Sequence, residues 1–307
     1  MLDPQAQALM TLLSEKGIPP VHTQTPVEAR ASYRARRGFT QPDAPEVGRV
    51  QDLHFNHSGV DIAVRVYHPP GATQVMPALV YLHGGGWTVG DLDTHDVLCR
   101  TLCLQSGGVV VAVDYRMGPE HQFPAAYEDA VAAWQWVASQ AQVLGVDPAR
   151  IAIGGDSAGG TLTAATAIAA RDEGIDLKLQ LMFYPGCSPE HMASSHTFEK
   201  GFLLEKASIE YFYGHYMPNA ADRHDPRFSP LLADVSGVAP AWLGLAECDP
   251  LVDEGVAYAD HLRLSGVAVD LEIYKGVVHS FIQMGRVIPE ALTAHLDAAR
   301  ALRHAFA

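Results

Sequence analysis

Cysteine is scarce. The 307 residues contain four, Cys99, Cys103, Cys187 and Cys248, with no CxxC pair and no metal-ligand spacing. That excludes a disulfide scaffold and a zinc module, and neither metal nor cofactor is expected. Cys99 and Cys103 stand four apart, about one helical turn, and read as small hydrophobes on one face. The usage fits a reducing, cytoplasmic setting. Positive charge is short too: 21 Lys and Arg stand against 35 Asp and Glu, a formal net charge of −14. The chain carries no long basic stripe, which argues against a nucleic-acid partner. No apolar run approaches the ~20 residues of a membrane span, so no membrane insertion is expected. Met1-Leu2-Asp3-Pro4 lacks a basic region leading into an apolar core, so no signal peptide is expected. Repeats and low-complexity tracts are also missing.

What is present is a 48% hydrophobic content, enough for a substantial core. The first part of the chain reads as helix and loop. Asp3 to Lys16 is amphipathic, with Gly17 closing it, and Val27 to Arg37 forms a second helix carrying Arg30, Arg34, Arg36 and Arg37. That arginine cluster reads as a solvated face. From Gly48 the period changes. Val50 to His57 and Val60 to Tyr67 form a hairpin about Ser58-Gly59. Strands are expected at Ala78 to Leu82, Val109 to Val113, Ile151 to Ile153, Leu177 to Phe183, Pro240 to Ala246 and Val269 to Tyr274. Helices at Thr94 to Gln105, Pro124 to Gln140, Thr161 to Arg171, Asp253 to Leu264 and Pro289 to Phe306 alternate with them, Asp253 being a candidate N-cap. The alternation predicts an α/β fold with a mostly parallel sheet. Pro185 to Ala239 breaks the rhythm. It is too long for a plain crossover and holds an aromatic helix, Glu205 to Tyr216. Such an insertion over a sheet's carboxyl edge makes a natural lid.

Gly155-Asp156-Ser157-Ala158-Gly159 follows the β-branched run at Ile151 and precedes a helix-forming run. It fits G-x-S-x-G, a nucleophile elbow on a strand–turn–helix. Side chains at Gly155 or Gly159 would crowd the adjoining strand and helix. The helix beginning after Ser157 points its positive end at the serine, which suits a developing anion. By itself the pattern is weak, since a plain strand-to-helix turn also satisfies it.

A second motif supports the chemical reading. His83-Gly84-Gly85-Gly86-Trp87 follows a buried strand. Its glycines let N–H groups approach a ligand, and Gly85, Gly86 and the N–H of Ala158 are the candidate oxyanion donors. His83 reads as a structural residue of that loop. No G-x-x-x-x-G-K-S/T is present, which discounts a phosphate loop. Ser157 needs a base and the base an orienting acid. His279 alone among the later histidines directly follows a late strand, in Val277-Val278-His279-Ser280-Phe281. The acid lies within Glu247-Cys248-Asp249-Pro250-Leu251-Val252-Asp253-Glu254, and Asp249, just past a strand, is the chosen member. Glu247 can bond neighbouring backbone, and Asp253 and Glu254 read as helix-start residues. Asp156 reads as structural. Trp87, Tyr184, Phe202, Phe212 and Phe281 are the candidate substrate-pocket residues.

With these motifs in view, the chain resembles the hormone-sensitive-lipase-like family of α/β-hydrolase carboxylesterases, in its GDSAG branch. The resemblance runs through Leu79 to Trp87, Gly90 to Asp96, Asp114-Tyr115-Arg116-Met117-Gly118-Pro119-Glu120-His121, Phe123 to Ala126, the elbow, Asp249-Pro250-Leu251 with Asp253-Glu254, and His279. It implies an α/β-hydrolase fold, one domain over 1–307, with helices on both faces of the sheet and a helical cap from about 1–47 and 187–225. It implies Ser157 as nucleophile, Asp249 as acid and His279 as base. The implied activity is hydrolysis of short- to medium-chain esters through an acyl-enzyme, without cofactor; the acidic surface and the lack of a basic amphipathic helix predict no interfacial activation. The expected partner is a small ester, and a homodimer stands as an open expectation. Three departures are visible: Val252 where Arg is frequent, Ser280 where Gly follows the histidine, and Met117-Gly118 for Leu-Ala. A non-catalytic binder such as the gibberellin receptors is disfavoured because His279 is present. Amide hydrolysis and acyl transfer stay open, since the same groups serve them.

Overall fold

The computed structural model describes residues 1–72 and 75–307. Eight strands form one sheet in the order β1-β2-β4-β3-β5-β6-β7-β8. The strands are β1 (Arg49–His57), β2 (Val60–His68), β3 (Met76–Leu82), β4 (Val109–Asp114), β5 (Val146–Asp156), β6 (Gln180–Phe183), β7 (Ala241–Cys248) and β8 (Val269–Val278). β1 and β2 are the antiparallel hairpin expected about Ser58-Gly59, and β2 also runs antiparallel to β4. Every other pairing is parallel.

The helices are α1 (Pro4–Glu15), α2 (Pro26–Thr40), α3 (Asp96–Ser106), α4 (Ala125–Ser139), the single turn α5 (Ala141–Leu144), α6 (Ala158–Asp172), α7 (Ala193–Thr197), α8 (Lys206–Tyr216), α9 (Val252–Leu264) and α10 (Glu290–Phe306). Along β3 the side chains alternate. Leu79 and Tyr81 pack with Cys99, Leu102 and Ala298 of α3 and α10, whereas Val80 and Leu82 pack with Ala130, Trp134 and Leu162 of α4 and α6. Both faces are covered, which is why the central strands are apolar throughout rather than alternating. Cys99 and Cys103 are buried thiols of α3, and Cys187 and Cys248 are buried as well.

Local chemistry sets the element ends. Asp3 Oδ1 accepts the Ala6 N–H at 2.6 Å and caps α1. Thr25 and Glu28 form a capping box that starts α2. The expected Asp253 cap is corrected: α9 starts after Leu251 with no side-chain cap, and Asp253 Oδ2 instead accepts the Ser194 N–H of α7 at 2.8 Å. β8 runs on past the expected end at Tyr274. Gly276, at φ 70°, bends it, and the register shifts opposite Ala246 and Cys248, so that it delivers His279.

α1 and α2 with the loop between them, and the insertion with α7 and α8, stand apart from the helices that flank the sheet. They meet where His22 Nδ1 and Ser208 Oγ lie 3.2 Å apart. Among the described residues no helix is long and apolar enough to cross a membrane.

Candidate active site

Ser157 sits between β5 and α6 with φ 54° and ψ −120°, a conformation that non-glycine residues rarely hold. The neighbouring chain leaves no room for side chains on either side. A Cβ at Gly155 or at Gly159 would overlap the Leu82 carbonyl of β3. The strained turn and its two glycines are therefore one device, which lifts Oγ onto the carboxyl edge of the sheet.

His279 arrives at that edge from β8. Its Nε2 lies 2.8 Å from Ser157 Oγ and its Nδ1 lies 2.6 Å from Asp249 Oδ2. The carboxylate can only accept, so Nδ1 carries the proton and neutral Nε2 is left to accept from the hydroxyl. Asp249 is fully buried, and its other oxygen accepts the Leu251 N–H at 2.8 Å. The other acids of that loop face elsewhere. Glu247 accepts the Gly276 N–H, Asp253 holds α7, and Glu254 accepts the Cys187 and Ser188 N–H groups. Burial raises the Glu254 pKa to about 8 against the effect of those two hydrogen bonds.

Facing Ser157, the loop after β3 turns at Gly85 and Gly86, with φ 128° and 57°. Among the described residues nothing accepts a hydrogen bond from the Gly85, Gly86 or Ala158 N–H. Asp156 ties this loop to the elbow: it accepts from Tyr81 Oη and from the Gly84 N–H, each at 2.9 Å, and pairs with His95 Nε2 at 3.2 Å. Burial opposes its ionisation, but His95 and Tyr81 outweigh burial and its pKa is lowered. His83 Nδ1 donates to the Gly84 carbonyl at 2.9 Å while its ring stacks on Tyr115, and burial lowers its pKa to about 4.

A cavity of about 410 Å³ opens over Ser157 and His279. Gly85, Gly86, Trp87 and Ala158 border it, as do Leu13, Ile18 and Val21 from the N-terminal segment and Leu203, Ile209 and Phe212 from the insertion. Trp87 and Phe212 thus stand where expected, Phe212 directly against Gly86. Tyr184, Phe202 and Phe281 do not border the cavity, a correction to the expected wall. Tyr184 is fully buried with its ring 4.6 Å from the His279 ring, and Phe281 packs on Tyr184 and Tyr274. Tyr184 thus backs His279 from the core side, and Phe281 backs Tyr184. Phe202 packs edge-on against Phe198 within the insertion.

The arginines of α2 form a solvated face only in part: Arg34 and Arg37 are exposed and Arg30 and Arg36 are half-buried, and three of the four are tied to neighbouring chain. Arg30 donates to Glu120 and to the Thr88 and Gly118 carbonyls, Arg34 pairs with Asp91, and Arg37 donates to the Asp93 carbonyl. Arg36 and Tyr33 border the cavity. Tyr33 Oη donates to Gln283 Oε1 at 2.9 Å, and Gln283 in turn reaches Asp156. Neither Tyr33 nor Gln283 was expected at the site. The available signal is the i, i+3 spacing of Tyr33 and Arg36 on one helix face.

Residues 79–283 match the family described as alpha/beta hydrolase fold. The ethyl acetate hydrolase of Pseudomonas putida is 42% identical over 301 residues, covering 94% of this chain and 95% of that protein. The chain belongs to the hormone-sensitive-lipase-like family of α/β hydrolases. Carboxylesterase NlhH of Mycobacterium tuberculosis is 39% identical over 283 residues, covering 90% of this chain and 88% of that protein. A thermostable esterase from Pseudomonas putida superposes with a TM-score of 0.96 at 32% identity, covering 100% of this chain and 98% of that one.

Two of this hydrolase's departures from the family pattern have a physical setting. Ser280 holds φ 64°, a left-handed conformation that glycine adopts more readily. At Gly118, an alanine Cβ would come within 2.7 Å of the His215 carbonyl oxygen of α8, so glycine admits the insertion closer. Nothing in the structure explains Val252.

Proposed function

We propose that Ser157, His279 and Asp249 hydrolyse carboxylic esters through an acyl-enzyme. One observation carries the reading: the unbroken hydrogen-bonded chain from Asp249 through His279 to Ser157, open to a cavity beside three uncommitted N–H groups. His279 Nε2 takes the Ser157 proton as Oγ bonds to the ester carbonyl carbon. The carbonyl oxygen becomes an anion and accepts from the Gly85, Gly86 and Ala158 N–H groups. Such fixed donors are worth about 3 kcal/mol each in a water-poor site. The bond to the alcohol then breaks, and Nε2–H gives its proton to the leaving oxygen. Water next loses a proton to Nε2 and attacks the acyl carbon, and Ser157 leaves with that proton. Asp249 orients the imidazole and steadies its charge without taking the proton.

The N-terminal segment, about 1–47, and the insertion, about 187–225, act as a cap. Their apolar side chains close a cavity of about 410 Å³, at the small end of ligand pockets. That size supports short- to medium-chain esters, and the name ethyl acetate hydrolase borne by the Pseudomonas putida relative supports small ones. Four buried thiols support a reducing, cytoplasmic setting. The test is a p-nitrophenyl ester series from acetate to palmitate, with Ser157→Ala as blank. The optimum is expected at roughly two to eight acyl carbons. A peak at the longest chains, or a rate that jumps when substrate forms droplets, would make the protein a lipase instead.

A further inference from the structure

Arg36 is the unusual charge of this site. Every other arginine of the chain donates to, or pairs with, a carboxylate, a carbonyl or a histidine ring nitrogen. The Arg36 guanidinium makes no ion pair among the described residues, yet it stands on the cavity wall. It lies over the Tyr33 ring, 4.8 Å from its centroid. The Tyr33 hydroxyl is its polar neighbour, and that group already donates to Gln283. Gln283 reaches Asp156 at the elbow, so the platform beneath Arg36 is braced by the same network that braces the nucleophile. Burial lowers the Arg36 pKa, with no carboxylate in contact to offset it. A cation held half out of water without an anionic partner is unfavourable for the fold. Its retention on the wall of a reaction cavity is a binding feature.

We infer that Arg36 receives a carboxylate on the substrate, so that this hydrolase acts on short esters bearing a second, ionised carboxyl group away from the scissile bond. The inference rests on the ester-hydrolase reading given above. A guanidinium fork matches a carboxylate bidentately. Among the described residues Arg36 is the one lysine or arginine on the wall, and Glu205, also on the wall, carries the opposite charge. That balance suits a monoanion and disfavours a phosphate dianion. The rest of the wall includes Leu13, Ile18, Ile209 and Phe212, which suit the short carbon chain between the two ends. Ser157 and Arg36 border the same cavity, so the first can take the ester while the second takes the carboxylate.

The carboxylate can sit on the acyl or on the alcohol side, and paired substrates separate the two. On the acyl side, monoethyl succinate is compared with its neutral isostere, in which an isopropyl group replaces the carboxylate. On the alcohol side, β-acetoxybutyrate is compared with its own isopropyl isostere. In the intact protein, the anionic member of at least one pair should show the higher kcat/KM. In Arg36→Gln that anionic-to-neutral ratio should fall by about 10- to 100-fold, the worth of a charge-assisted hydrogen bond. Arg36→Lys should keep part of the ratio, through a point charge without the fork. Neutral preference in both pairs of the intact protein overturns the inference and leaves the esterase reading standing. So does a loss in Arg36→Gln that is equal for both members, which is the mark of a merely structural residue. Failure of the intact protein to hydrolyse any of the four substrates, or p-nitrophenyl butyrate, overturns the esterase reading and this inference with it.

Discussion

Single residues at this site are legible in the sequence where the local rule is strict. Ser157 at φ 54° between Gly155 and Gly159 is such a case, because the turn itself demands the glycines. Gly86 is another. At φ 57°, with a Cβ there overlapping the Phe212 ring, Gly86→Ala should lower kcat on p-nitrophenyl butyrate by about 100-fold through displacement of one oxyanion donor. Phe212→Ala in the same chain should restore part of it, and failure of any rescue would disconnect the two residues. Glu254 stands in the first turn of α9, as its position suggests, but its partners are backbone N–H groups of the insertion, 66 and 67 positions away, which no local pattern announces. Its titration is testable. Burial lifts its pKa from an ordinary 4.5 to about 8, so the fold favours the neutral acid. The stability this contributes is complete below about pH 4.5 and is lost as pH rises through 8. His83 and His295, lowered by burial to about 4, act in the opposite sense: their contribution is lost as pH falls below the ordinary histidine range. A comparison above pH 6.5 isolates Glu254. Relative to Glu254→Gln, the unsubstituted protein should lose about 2 kcal/mol between pH 6.5 and 8, a few degrees in Tm. Parallel Tm curves for the two proteins would refute the buried-acid account.

At the scale of elements, α2 shows what local reading cannot supply. Its helical period and length are plain from the residues, and the capping box at Thr25 and Glu28 fixes its start. Its arginines look like a solvated face because their partners, Glu120, Asp91 and the Asp93 carbonyl, lie more than fifty residues downstream. The same distance effect hid Tyr33 and Gln283, which meet across 250 positions. Tyr184 and Phe281 lie off the cavity wall for another reason. The residues at a strand end and just after the base turn into the layer beneath His279, a direction set by the β8 bend and the turn at Ser280. Because Arg30 holds α2 to the Thr88 carbonyl, the Gly118 carbonyl and Glu120, Arg30→Met should free the helix from the oxyanion-loop region. The expected result is a several-fold rise in KM for p-nitrophenyl butyrate and a Tm lowered by a few degrees, with a smaller effect on kcat. The half-exposed Glu120 carboxylate makes the ion pair itself a weak contributor to stability, so the buried carbonyl bonds carry most of the effect. An unchanged KM would show that α2 is held by its apolar side alone.

For the molecule as a whole, strand alternation and apolar runs suffice to announce a mostly parallel sheet covered on both faces, and the hairpin at β1 and β2 is plain from its turn. The strand order is not. That β4 lies between β2 and β3 follows from crossover geometry rather than from any residue pattern. This order places the ends of β3, β5, β6, β7 and β8 along one edge, and the loops after β3, β5, β7 and β8 bring together the Gly85 and Gly86 N–H groups, Ser157, Asp249 and His279. The central claim is that these loops make Ser157 a nucleophile. Labelling with a p-nitrophenyl alkylphosphonate, followed by intact-mass and peptide mapping, tests it most directly. The account predicts one equivalent of adduct, located on Ser157, with hydrolysis of p-nitrophenyl butyrate lost in proportion to labelling. It also predicts that His279→Ala or Asp249→Asn slows labelling by several orders of magnitude. A protein that hydrolyses the ester while Ser157 stays unlabelled, or that labels fully without losing activity, would contradict it.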